Sequence, residues 1–329
     1  MRGTRAAHPE PVTLPSEVNT MLKSRYIRVG LYLAAVVMPA GLIGCSADVV
    51  PAHPASPTRP NTTPSLSGPA ASDRARALLL PYDRYELTPG DLATVQAAED
   101  MLMAACMRAQ GRSWTPLPAA TDADPPNRTR YGVIETAVAT RYGYHQPPAP
   151  PGVAARGAAE AARTARLTQA DADAAFGKAR TSQAVGGCWK TAHDTLRKDV
   201  PESPHDILDE LTLSSFNSSL KDSRVHHALS RWSTCMKKSG YSYASPLDAA
   251  ADSEWQKTDR PSREETSVAV TDVYCKEETR LVEEWSGVER GWQQQFIRER
   301  PDQFRALALA KDTWLYAARA ALREEPHDS

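Results

Sequence analysis

The chain has 329 residues, 41% hydrophobic and 24% charged, and its 39 Lys and Arg nearly balance 40 Asp and Glu. A net charge of −1 excludes capture of nucleic acid by bulk charge, and the mix excludes a disordered polyelectrolyte and a polytopic membrane protein. Beneath these averages lie 51 Ala, 29 Arg against 10 Lys, and only 4 Phe, a composition that favours helix.

Met21 to Arg28 reads MLKSRYIR, with three positive charges and no acid, and Val29 to Gly44 follows as sixteen uncharged residues. A basic segment followed by an apolar one is the signature of a secretory signal peptide. The run is shorter than the roughly 20 residues a spanning helix needs. It ends in Leu42-Ile43-Gly44-Cys45, which resembles the bacterial lipobox. That resemblance implies cleavage before Cys45 and diacylglycerol on its thiol, and two acyl chains give stable anchoring where one does not. Residues 1–20 lie ahead of the basic segment, so Met21 is the expected start. The reading is therefore 1–44 leader and signal peptide, then 45–80 lipidated Cys and disordered tether. Ser46 to Ser72 is rich in Pro, Ser, Thr and Ala and cannot bury enough apolar surface to offset its ordering entropy. From Cys45 onward 34 Lys and Arg face 38 Asp and Glu, a net of −4.

Helical patterns fill the rest. Thr88-Pro89-Gly90-Asp91 is a helix start, and Leu92, Val95, Ala98, Leu102, Ala105 and Ala109 recur at helical spacing up to Gly111. Further helices are expected over 132–141, 155–166, 169–180, 182–198 and 204–218. Ser223 opens a helix with Val225, Leu229, Trp232 and Met236 on one stripe. Ser262-Arg263-Glu264-Glu265 reads as a capping box. It is expected to begin one long helix to Arg300, with Val270, Tyr274, Leu281, Trp285, Val288, Trp292 and Phe296 in register and Pro301 as breaker. A last helix carries Phe304, Leu307, Trp314, Leu315, Ala318 and Leu322. Alternating β patterns are nearly absent, Gly240 to Ser245 being the best.

Besides Cys45 the chain has Cys106, Cys188, Cys235 and Cys275. An even number in an exported chain argues for two disulfides, with three connectivities open, and no CxxC spacing supports zinc or thioredoxin-type chemistry. Cys106-Met107-Arg108-Ala109-Gln110-Gly111 and Cys235-Met236-Lys237-Lys238-Ser239-Gly240 share a Cys-Met-basic-x-x-Gly pattern, each followed by an aromatic and then Pro-Leu. Both glycines fit helix C-termini. Cys188 and Cys275 lie inside helical patterns. Each half thus offers one Cys at a helix end and one within a helix, which pairs Cys106 with Cys188 and Cys235 with Cys275. The fold expected is all-α, packed helical hairpins in two related, disulfide-stapled halves, 81–200 and 201–329.

Chemistry is harder to find. Ser218-Ser219-Leu220-Lys221 matches Ser-x-x-Lys, but the Lys-Thr-Gly and Ser-x-Asn partners of that chemistry are missing from the sequence. His226 and His227 are adjacent, so on a helix they point about 100° apart and do not form one metal site. His193-Asp194 has no assignable nucleophile. Of four Glu-Glu pairs, Glu277-Glu278 beside Arg280 reads as a solvated face. Trp285 and Trp292 read as core, and Trp114, Tyr241 and Tyr243 as packing over the disulfides. No catalytic, cofactor or metal residue is assigned.

The lipobox, the repeated cysteine pattern, Asp272-Val273-Tyr274-Cys275-Lys276-Glu277-Glu278-Thr279, Tyr131-Gly132 and Tyr142-Gly143-Tyr144-His145 together resemble exported lipoproteins of actinobacteria. The likeness spans most of residues 82–300. It implies lipidation at Cys45 and paired cysteines, and it carries no activity. The Ala- and Arg-heavy composition agrees with a high-GC source. The expected protein is lipid-anchored on the outer face of the cell membrane and acts as a binding or accessory component, with an envelope protein as partner and no nucleic acid. The alternatives are a cell-wall-acting enzyme using carboxylates such as Glu277 and Glu278, and a purely structural envelope protein.

Overall fold

The computed structural model describes residues 68–178 and 186–323. The expected signal peptide, Cys45, the expected tether up to residue 67 and the Glu324-Glu325 pair lie outside the described residues, as do the ends expected for two helices at residues 180 and 182. Among the described residues twelve α-helices form: α1 Asp73–Ala77, α2 Pro89–Ala109, α3 Thr136–Tyr142, α4 Pro151–Thr164, α5 Gln169–Phe176 and α6 Gly187–Arg197. They continue as α7 Asp206–Leu220, α8 Ser223–Lys238, α9 Pro246–Ala250, α10 Arg263–Thr279, α11 Leu281–Glu299 and α12 Pro301–Arg323. Short 3-10 turns occupy Pro81–Arg84 and Ser253–Lys257, and no strand forms among the described residues. The fold is all-α, and Gly240 to Ser245 is a non-helical link rather than a strand.

Both disulfides form as the repeat requires, Cys106–Cys188 between α2 and α6 and Cys235–Cys275 between α8 and α10. The repeat also holds at the hydrogen-bond level. After α2, Gly111 takes φ +68° and the Arg112 N–H donates to the Met107 carbonyl at 2.9 Å. After α8, Gly240 takes φ +90° and the Tyr241 N–H donates to the Met236 carbonyl at 3.0 Å. Each is a helix end closed by a glycine in left-handed territory, with the carbonyl one residue after the cysteine as acceptor.

Around the first staple Met103, Met107, Trp114, Ala175 and Ala192 pack with Cys188. Around the second lies the larger core, with Tyr131, Trp232, Met236, Trp255, Cys275, Leu281 and Trp285. Tyr241, Tyr243 and Trp292 pack against its edge. The halves are knitted together rather than set side by side. From the second half, α12 lays Trp314, Leu315 and Ala318 on Val95 and Ala98 of α2 and Leu196 of α6. From the first, α3 places Ala139 on Ala269 and Val273 of α10. The tether expected to run to residue 80 is part of the folded body from residue 68: Ala75, Leu78 and Leu80 are buried, Gly68 N–H donates to the Ala149 carbonyl (2.9 Å), and Ser72 N–H donates to Glu135 (2.6 Å).

The long helix expected from Ser262 to Arg300 is two helices. Arg280 adopts φ 53°, ψ 34° and separates α10 from α11. The two segments bury different faces. Tyr274, expected on the core stripe, is 55% exposed, while α10 buries Val268, Ala269, Asp272, Val273, Cys275 and Lys276. Trp285, Val288 and Leu281 do enter the core from α11. No Gly or Pro marks this break, so the sequence pattern ran through it. The helix expected from Gly132 starts only at Thr136, because Gly132 (φ +78°) belongs to the preceding turn. The helix expected to reach residue 180 ends at Phe176, where Gly177 (φ +83°) packs against Gly186 with no room for a Cβ.

Candidate functional site

The binary pattern of α8 creates two faces. Val225, Ala228, Trp232 and Met236 enter the core. One stripe away, His226, Leu229, Ser230, Ser233, Thr234 and Lys237 line an open cleft of about 380 Å³, closed on its far side by Ala244. Its wall exists because the chain doubles back after Gly240: Ser233 Oγ donates to the Tyr243 carbonyl at 2.6 Å. The Tyr243 hydroxyl donates to Asp252 at 2.8 Å, and burial, with that carboxylate beside it, pushes its pKa up to about 12. The lining holds an imidazole, an ammonium and three hydroxyls but no carboxylate. The Lys237 ammonium and the Ser230 hydroxyl make no hydrogen bond among the described residues. This surface can donate hydrogen bonds to a ligand, and no hydrogen bond joins His226 to Ser230 within it.

The interior carries a second set of polar residues, all on elements packed around α10 and α11. Glu289 on α11 is fully buried and accepts from Arg130 (Nε, 3.0 Å), the Tyr131 hydroxyl (2.7 Å), Ser215 Oγ (3.2 Å) and Gln293 (3.2 Å). Two turns N-terminal to the break, Asp272 and Lys276 form an ion pair at 2.9 Å with both side chains 0% exposed. Trp232 Nε1–H donates to Asp272 Oδ1 (2.9 Å), the Tyr144 hydroxyl to Oδ2 (3.3 Å), and Lys276 Nζ to the Val133 carbonyl (2.7 Å). Burial raises the pKa of Asp272 and lowers that of Lys276, each opposed by the partner's charge. Burial likewise raises Tyr131 and Tyr144, whose hydroxyls point at carboxylates. With every donor and acceptor turned inward, this set fixes the 131–145 segment onto α10 and α11 rather than meeting a substrate.

At the start of α10 the expected capping box is only half made. Ser262 Oγ accepts from Glu265 N–H at 3.0 Å, but the Glu265 carboxylate does not reach back. It accepts instead from Tyr144 N–H (2.7 Å) and faces His145 Nδ1 (2.8 Å). The requirement came from residues 121 and 120 positions away, beyond any local pattern.

The other residues singled out from sequence fall as follows. His193 Nδ1 meets Glu99 Oε1 at 2.7 Å, its ring stacked on Trp189, whereas Asp194 pairs with Lys190. Glu277 pairs with Arg74 on the surface at 2.8 Å, and Glu278 is exposed beside it. Lys221 caps the end of α7 through its backbone N–H on the Ser218 carbonyl, with no side-chain hydrogen bond between the two. His226 and His227 are both exposed. Among the described residues no three His, Cys, Asp or Glu side chains gather as a metal site, and no helix is long and apolar enough to cross a membrane. In the sequence Glu99, Asp272, Lys276 and Glu289 show no buried pairing role, and Glu265 only a capping one, since each sits in an ordinary helical charge pattern. Compared with protein-family models, curated proteins and solved structures, the chain matches none.

Proposed function

We propose that the protein is an exported lipoprotein, held by diacylated Cys45 and a Pro-rich tether on the outer face of the cell membrane, that works as a binding or accessory component of the envelope. The observation that carries the binding half of this reading is the α8 cleft. It is a solvent-open stripe on which the side chains of His226, Ser230 and Lys237 make no hydrogen bond among the described residues, while the buried ion pairs are closed within the fold. Its lining without carboxylates suits an anionic or hydroxyl-rich group, met by Lys237 and Ser230. Ligand pockets of roughly 300–1,000 Å³ with a few placed polar groups are the usual form of such sites. The resemblance to actinobacterial lipoproteins supports the address.

Two experiments test the two halves separately. Cys45→Ala should move the protein from the membrane fraction to the soluble fraction and abolish labelling by a radioactive or clickable fatty acid. Unchanged labelling would end the anchor claim. A photo-crosslinking residue at Ser230, introduced into the full chain in intact cells, should give a discrete adduct that Lys237→Glu removes. The same residue placed at exposed Tyr316 on α12 serves as control. Equal adducts at both positions would end the assignment of the cleft.

A further inference from the structure

His145 stands between two acceptors. Its Nδ1 lies 2.8 Å from Glu265 Oε1 and its Nε2 lies 2.9 Å from the Thr258 carbonyl. A carbonyl only accepts, so Nε2 carries a hydrogen. Glu265 Oε1, as a carboxylate oxygen, only accepts, from Tyr144 N–H at 2.7 Å and from the ring, so the Nδ1 contact is closed by a second ring hydrogen. An imidazole with hydrogens on both nitrogens is the charged form; this protonation is assigned from the neighbours. A neutral ring would turn one lone pair towards an oxygen under 3 Å away, whichever tautomer it chose.

The two sides of the ring differ in freedom. Glu265 is 1% exposed, and Gly143 is packed so closely on its carboxylate that a Cβ there would lie 2.4 Å from Oε1. That side does not yield. On the other side, residues 256–260 are all exposed. Their other side-chain contacts among the described residues are local, Lys257 to Glu254 and Thr258 Oγ1 to the Arg260 carbonyl. This strap is anchored at its front by buried Trp255 and at its back by the Ser262 cap, and His145 is its hydrogen bond to the body between them.

We propose that His145 and Glu265 form a proton-operated latch that holds the 256–261 strap against the body while the imidazole is charged and frees the strap when it is not. The charged groups facing the ring are Glu265 from α10 and Asp259 from the strap. Asp252, at the strap's start, is engaged by Tyr243, and Tyr144 beside the ring is engaged with Asp272. The Thr258 carbonyl first, and Glu265 second, hold the imidazole's pKa above its ordinary value. A raised histidine contributes stability that is complete below the unfolded value, about 6.5, and is lost as pH rises through the folded one. The strap is therefore shut below the ordinary histidine range and freed as pH rises through the raised value.

Lys257 puts a trypsin site in the strap. The full chain and its His145→Gln variant are digested side by side at several pH values between about 6 and 9.5, and cleavage after Lys257 is read by mass spectrometry after reduction. The ratio of the two rates at one pH cancels the protease's own pH dependence. The wild-type strap should be cut severalfold more slowly than the variant's at the acid end, and equally fast at the alkaline end. A ratio constant across the range overturns the latch. Cleavage within α8, after Arg231 or Lys237, reports whether the variant has lost its fold. If it has, the wild-type His145 ring is followed by NMR against the amide signals of residues 257–260. Ring and amides moving together supports the latch, and a ring that titrates over unmoved amides refutes it.

Discussion

Replacing Lys276 by Met tests whether the buried pair on α10 is held by its geometry. The two side chains have similar length, so the change removes an ammonium from a site that stays filled. What remains is the Asp272 carboxylate, 0% exposed, with Trp232 Nε1–H and the Tyr144 hydroxyl as donors but without its cation. The Val133 carbonyl also loses its 2.7 Å donor. Breaking a buried pair from one side costs about 3–5 kcal/mol, mostly because the surviving charge is stranded. For a body of this size that lowers Tm by roughly 10 °C, taking about 2–4 °C per kcal/mol. The diagnostic variant is Lys276→Met with Asp272→Asn. The Asn carbonyl still accepts from Trp232 and the stranded charge is gone, leaving a cost of about 1–3 kcal/mol for the unpaired Val133 carbonyl. The double variant should therefore be more stable than Lys276→Met alone. Urea unfolding of the mature chain with its disulfides intact, followed at 222 nm, measures both. A single-variant cost below about 1 kcal/mol would show that the pair is solvated in solution, and a double variant costing the sum of the singles would refute the coupling.

Peptide mapping without reductant should yield Cys106–Cys188 and Cys235–Cys275 peptides, and a Cys106–Cys235 or Cys106–Cys275 peptide would overturn the pairing. On chain-entropy grounds the staples span 82 and 40 residues and contribute about 4.5 and 4 kcal/mol. Each double Cys→Ala variant should therefore shift the urea midpoint clearly downward. Arg280→Gly should raise Tm by about 2–4 °C, because a left-handed φ of 53° costs a non-glycine residue about 1 kcal/mol at this exposed position. No gain would mean that the Arg280 side chain itself holds the bend.

The architecture was legible where it is written locally. Thr88 and Asp91 cap α2 reciprocally as their spacing requires, and the Cys-Met-basic-x-x-Gly segments both become glycine-closed helix ends. Pairing by halves then followed from position alone. The break at Arg280 was not legible, because a left-handed arginine carries no mark in a sequence. Its cause is the burial of different faces by α10 and α11. Glu265 shows the same limit at a single side chain. Its three-residue spacing from Ser262 predicts a cap, but Tyr144 and His145 claim the carboxylate, and neither lies within a hundred residues of it.

The interior polar pairs show how far the repeat extends. In the first half Trp114 Nε1–H donates to Asp100 Oδ1 at 2.9 Å, with Arg163 on both carboxylate oxygens and its guanidinium 4.1 Å over the indole ring. In the second, Trp232 Nε1–H donates to Asp272 Oδ1 at 2.9 Å, with Lys276 as the cation. These look like copies, but their positions are not equivalent. With Cys106 laid on Cys235, Trp114 falls on Tyr243 and Trp232 on Met103, while Asp100 falls on Leu229. The repeat therefore covers the two glycine-closed helix ends with Cys106 and Cys235, but neither the partner cysteines, since Cys188 falls on Ala317 and Cys275 on Gln146, nor the indole–carboxylate–cation trios. Those follow from packing. Burying an indole leaves an N–H that needs an acceptor, a carboxylate is the strongest one, and a buried carboxylate needs a cation. Two cores of unequal size reach the same arrangement from different residues, whereas the buried indoles of Trp285 and Trp255 donate to Ser219 Oγ and the Ala249 carbonyl instead.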